Sequence, residues 1–89
     1  MPIAEITIIN KLGLHARASA KLSQLAAQYQ CEVLLSKGNR QINAKSIMGV
    51  MMLAAGIGST VTLETIGTDS EEAMQAITAL INNRFGEGE

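Results

Sequence analysis

Apolar and polar residues alternate from Ile3 onward. Ala4, Ile6 and Ile8 fall on one side, Glu5, Thr7 and Ile9 on the other, which predicts a half-buried strand over 3–9. The period then lengthens. Ala18, Leu22, Leu25, Ala26 and Tyr29 recur at helical spacing, opposite Lys21, Gln24 and Gln28, and predict a helix over 16–28. Alternation returns at Cys31, Val33 and Leu35, ends near the turn Ser36-Lys37-Gly38-Asn39, and resumes over 40–44 with Ile42 inward: a hairpin. Ser46 can cap a short helix over 47–53. Gly56 and Gly58 break the chain, and Val61, Leu63 and Thr65 alternate as a fourth strand ending at Gly67. The last helix has a clear start signal, Asp69 or Ser70 as cap with Glu71 and Glu72 in its first turn. Ala73, Ile77, Leu80 and Ile81 form its buried face, Gly86 lies just past its end, and Gly86-Glu87-Gly88-Glu89 reads as a frayed tail.

The order βαββαβα belongs to the α+β class. It predicts a four-stranded antiparallel sheet with helices on one face, although periodicity alone leaves other split β-α-β arrangements open.

Candidate chemistry concentrates where the first strand gives way to the first helix. Gly13-Leu14-His15-Ala16-Arg17 holds the only histidine of the chain, at the cap position of that helix. The first amides of a helix lack internal partners, and the helix dipole places partial positive charge there. With the Arg17 guanidinium added, the site can hold a phosphate beside an imidazole nitrogen. Free imidazole titrates near pH ~6.5, so much of it is unprotonated and nucleophilic at neutral pH. A basic residue at a helix start is disfavoured by the dipole, and anion binding would explain Arg17 there. The backbone amides of Ala16 and its successors would add donors.

The segment Gly13-Leu14-His15-Ala16-Arg17 resembles the active-site segment of the HPr family, the histidine-containing phosphocarriers of the bacterial sugar phosphotransferase system. A second block, Lys45-Ser46-Ile47-Met48-Gly49-Val50-Met51, resembles the same family's regulatory serine segment, and the likeness extends over essentially the whole length. The resemblance implies an HPr-like open-faced β-sandwich with three helices on one side. It also implies a phosphohistidine at His15, formed on Nδ1 by enzyme I with phosphate from phosphoenolpyruvate and passed on to an enzyme II A domain. Ser46 would be a regulatory phosphorylation site in bacteria that possess HPr kinase/phosphorylase, and Ile47, Met48 and Met51, with Lys21, a partner-docking surface beside the active site. The chain departs from the family at Ala18, where proline usually follows the arginine. Ala18 keeps an amide that could join those of Ala16 and Arg17 in binding phosphate.

Composition sets bounds. The 89 residues fit one domain over 1–89, burying about 60–70% of its unfolded surface. At 47% hydrophobic and 17% charged the chain is globular. Net charge is −1, which gives no general case for nucleic acid, and one Tyr, one Phe and no Trp leave no base-stacking platform. Residues 1–45 carry six basic and two acidic side chains. This polarity allows a positive region around Lys11, Arg17, Lys21 and Lys45, suited to an acidic partner or a phosphoryl group. A lone cysteine, Cys31, excludes an internal disulfide, fits a reducing compartment, and reads as a small buried side chain. The N-terminus has no basic segment of a signal peptide, and the run 47–57 is too short and glycine-broken to span a bilayer. The expectation is a cytoplasmic monomeric carrier, rather than an enzyme, with no cofactor, metal or membrane insertion. The nitrogen-related branch of the same system (NPr) and a non-carrier regulatory module are the alternatives, and the presence of His15 disfavours the second.

Overall fold

The computed structural model describes residues 2–87. Strand β1 (Ile3–Thr7) leads to helix α1 (Ala16–Ala26), strands β2 (Glu32–Lys37) and β3 (Arg40–Asn43), helix α2 (Ile47–Met52), strand β4 (Thr60–Ile66) and helix α3 (Ser70–Asn82). A 3-10 turn over Arg84–Gly86 follows. The strands form one antiparallel sheet in the order β1-β4-β2-β3.

Register puts every inward side chain on the same face. Ile6 lies opposite Val61, Ala4 opposite Leu63, and Leu63 opposite Leu35, which in turn faces Ile42. The helices cover that face with Ala18, Leu22 and Ala26 from α1, Val50 from α2, and Ala73, Ile77 and Ile81 from α3, all fully buried. Burying a side chain of Val, Leu, Ile or Phe size contributes about 1.5–3 kcal/mol, so this layer is the main stabilising term. The other face is solvated and carries Glu5, Glu32 and Glu64 outward.

Several ends differ from the sequence pattern. Helix α1 stops at Ala26 because Gln28 and Tyr29 donate to Leu25 and Ala26 in tight three-residue steps. β1 stops at Thr7, although Ile8 still exchanges backbone hydrogen bonds with Ser59 and Gly58. Asp69 does occupy the cap position of α3, yet its carboxylate caps nothing there: it accepts from the Gln30 and Cys31 amides at 2.8 and 2.9 Å. Those amides open β2, so Asp69 ties two distant elements together. Its carboxyl is held below the ordinary carboxylate range chiefly by the Gln30 hydrogen bond, with burial opposing and the Cys31 amide adding to it. Cys31 is buried, as its place in the alternation predicts, and burial pushes its thiol up.

The expected fraying is overturned for Gly86 and Glu87. Phe85 is a buried core residue and the chain is anchored beyond α3; Gly88 and Glu89 lie outside the described residues. An aromatic ring of this size takes the chain inward despite the glycines around it.

Candidate functional site

The loop before α1 is shaped by Gly13. Its φ is +65°, and a Cβ there would lie 2.6 Å from the Ala55 carbonyl oxygen and 2.7 Å from the Gly56 Cα. The loop packs backbone to backbone on the segment after α2, and Leu14 donates its amide to that same Ala55 oxygen at 2.9 Å. The next residue, His15, is thereby held at the helix start.

His15 is the N-cap of α1, and its Nδ1 accepts from the Arg17 amide at 3.3 Å. Its carbonyl accepts from Ser19 as the first helical hydrogen bond. The amides of Ala16 and Ala18 are engaged by no described residue. The side chain of His15 is 27% exposed, so a partner can reach it. The Arg17 guanidinium is exposed and forms no hydrogen bond with a described residue.

Glu87, which the sequence pattern places in a frayed tail, completes the site. Its Oε2 lies 2.6 Å from His15 Nε2, and its Oε1 accepts from Asn10 Nδ2 at 3.1 Å. Burial alone would raise the Glu87 carboxyl. The hydrogen bonds from His15 and Asn10, and the positive charge of Arg17, outweigh it and hold the group below its ordinary range. Seventy-two residues separate the pair. Two local signals pointed at this segment, a phenylalanine and an acidic residue after a helix end, but neither says where the chain turns.

The other expected positions divide. Ser46 is the N-cap of α2, its Oγ accepting from the Gly49 amide at 3.0 Å. Ile47, Met48 and Met51 are exposed at 41%, 68% and 38%, and Met52, Leu12 and Ile57 join them. Only Val50 of α2 is buried, so most of this short helix faces water. Leu12 and Ile57 are the chain neighbours of Gly13 and Gly56, whose backbones meet, and α2 packs on α1.

Of the four cations grouped by the sequence reading, Lys45 does not belong at the site. Its Nζ donates to the Tyr29 carbonyl at 2.7 Å, beyond the far end of α1, because a helix of 11 residues runs about 16 Å. Lys21 stays on the His15 side but its Nζ is committed to the Phe85 carbonyl at 2.6 Å. Ala18 is fully buried, so its methyl packs in the core while only its amide faces the helix start. Among the described residues, no helix is long and apolar enough to cross a membrane, and no cluster of ligating side chains could hold a metal.

An open-faced sandwich of this order, with a part-exposed histidine on the first amides of its first helix, defines a class of small phosphocarrier proteins. The family model described as the PTS HPr component phosphorylation site matches residues 3–83, and the chain belongs to that family. It is 72% identical over 85 residues to phosphocarrier protein HPr of Cupriavidus necator, covering 96% of each chain. The crystal structure of HPr-C-His from Thermoanaerobacter tengcongensis matches with a TM-score of 0.94 at 44% identity, covering 98% of each chain. Phosphocarrier protein NPr of Shewanella violacea is 43% identical over 83 residues, 93% of this chain and 91% of its own.

Proposed function

We propose that His15 Nδ1 accepts a phosphoryl group from enzyme I, which draws it from phosphoenolpyruvate, and delivers it to enzyme II A domains. The observation that carries this is the placement of Nδ1 on the first amides of α1. The Nδ1 lone pair attacks phosphorus as the donor's P–N bond breaks, and the electron pair of that bond returns to the donor nitrogen. The Arg17 amide, now on Nδ1, passes to a phosphoryl oxygen, joined by the amides of Ala16 and Ala18 and the Arg17 guanidinium. Charge balance and positioning are the protein's contributions, and turnover leaves it a stoichiometric carrier rather than an enzyme.

Ile47, Met48 and Met51 are the docking surface in this reading, with Lys21 on the rim. Flexible methionines suit a surface that must meet both donor and acceptor. Ser46, exposed at a helix start, is the regulatory phosphorylation site where HPr kinase/phosphorylase exists. The carrier works as one cytoplasmic domain over residues 1–89 and as a monomer, needing no cofactor. The nitrogen-branch role has the NPr relative in its favour, whereas the higher identity lies with HPr.

Incubation with enzyme I and phosphoenolpyruvate, followed by intact mass, is expected to add one acid-labile phosphoryl group. His15→Ala should abolish it while costing only about 1 kcal/mol, the usual worth of a lost cap. Phosphorylation retained in that variant sinks the assignment. Arg17→Glu should slow transfer strongly and Arg17→Lys mildly, because lysine keeps the charge and loses the planar fork.

A further inference from the structure

The segment after α3 is built at a conformational cost. Arg84 and Phe85 sit at φ 53° and 55°, a left-handed pair that residues bearing a Cβ enter only when their surroundings compel it. Two contacts compel it here. The Phe85 ring is 1% exposed, and the Phe85 carbonyl accepts from Lys21 on α1. The chain is thereby turned back across the start of α1, and Glu87 reaches His15.

A second arrangement aims the carboxylate. Asn10 is fully buried, and its Nδ2 donates both to the Gly13 carbonyl at 2.8 Å and to Glu87 Oε1 at 3.1 Å. Both partners are acceptors, so the amide has one workable orientation, and its Oδ1 is without a partner among the described residues. Asn10 thus links the loop that carries His15 to the carboxylate that meets it.

The two ring nitrogens of His15 then face groups of opposite demand. Nδ1 faces an N–H, that of Arg17, and must present a lone pair. Nε2 faces a carboxylate and must present a proton. Each contact selects the same neutral tautomer, the one in which Nδ1 is the nucleophile.

We propose that Glu87 is a positioning residue for phosphoryl transfer: its carboxylate, aimed by Asn10, holds His15 in the Nε2–H tautomer with the ring orientation that frees Nδ1 for attack. The inference rests on the reading of His15 as acceptor. In the step itself the Nδ1 lone pair forms the N–P bond while the donor's P–N pair leaves with the donor. The Nε2 proton stays in place, and the positive charge the ring gains is balanced by the Glu87 carboxylate across 2.6 Å. On delivery the P–Nδ1 pair returns to Nδ1 and the same tautomer is restored. Arg17, the other charged group facing the pair, acts on the phosphoryl oxygens rather than on Nε2.

The test uses the full chain with Glu87→Gln and Glu87→Asp. Tautomer populations of His15 are read from long-range ¹H–¹⁵N correlations, and the rate of acceptance from enzyme I is measured at sub-saturating carrier. Glu87→Gln should mix the tautomers and lower the rate about tenfold, the lower end of the loss when a carboxylate that orients a metal-ligating histidine is removed. Glu87→Asp, one methylene shorter, should recover part of both. An unchanged tautomer overturns the proposal, even if the rate falls, since the residue would then act on docking alone. An unchanged rate overturns it too. Failure of the underlying reading shows itself separately: wild-type protein would take no phosphoryl group on His15, whatever Glu87 does.

Discussion

Gly13→Ala is the substitution whose consequence can be worked furthest from the structure. It forces a methyl-bearing residue to φ +65°, which costs about 1–2 kcal/mol. It also drives the new Cβ to 2.6 Å from the Ala55 oxygen and 2.7 Å from the Gly56 Cα. Both are backbone atoms, so no side chain can swing away, and overpacking of this kind adds about 1–3 kcal/mol. The sum is about 2–5 kcal/mol, and at about 4–8 °C per kcal/mol for a domain of this size the melting temperature should fall by roughly 8–40 °C. Gly38 supplies the control. It has φ +63°, but a Cβ there meets nothing within 4 Å, so Gly38→Ala should cost only the conformational part. Thermal unfolding followed by circular dichroism on both variants separates strain from collision. If Gly13→Ala and Gly38→Ala melt together, the close approach is not what makes residue 13 a glycine, and the account of how His15 is held fails. Because the loop would have to lift from Ala55, slower phosphoryl acceptance should accompany the loss of stability.

Three further outcomes are expected. Ser46→Asp keeps a capping side chain at an exposed position, so the melting temperature should hold while acceptance from enzyme I slows, less so at high salt; unaltered transfer with authentic phosphoserine, which carries about −1.5 to −2 charges, would reduce Ser46 to a plain cap. Ala18→Pro removes an amide that no described residue uses, so stability should change by less than about 1 kcal/mol, while phosphohistidine lifetime or transfer rate shifts; identical kinetics would show that this amide holds no phosphate. Asp69 has a lowered carboxyl in the folded state, so its stabilisation is complete above the ordinary carboxylate range near pH ~4 and is lost as pH falls through the depressed folded value. Melting temperatures across that acid range should converge for wild type and Asp69→Asn, and a constant gap between them would mean that Asp69 does not couple proton binding to folding.

Local patterns carried much of this protein in plain view. The period-2 runs at 3–9, 31–35 and 61–65 and the helical runs after residues 16 and 70 name the elements, because burying one face of a strand or helix requires that spacing. Cap chemistry was equally legible: His15 before Ala16 and Ser46 before Ile47 lie within three residues of the amides they serve. What the spacing could not say is which distant group completes each local one. Periodicity tells a residue which way to face but not what it will meet. Hence Asp69, a helix cap by its spacing, spends its carboxylate on Gln30 and Cys31, and Lys45, grouped with Lys11, Arg17 and Lys21 in one positive region, closes the other end of α1. Glu87 was read as frayed because glycines surround it. Only the burial of Phe85 against the assembled sheet and helices supplies the free energy that bends Arg84 and Phe85 into the left-handed region and carries a carboxylate across to His15. The nucleophile and its helix are properties of a dozen consecutive residues, whereas its tautomer is set by a contact across 72 residues that exists only once the core has formed.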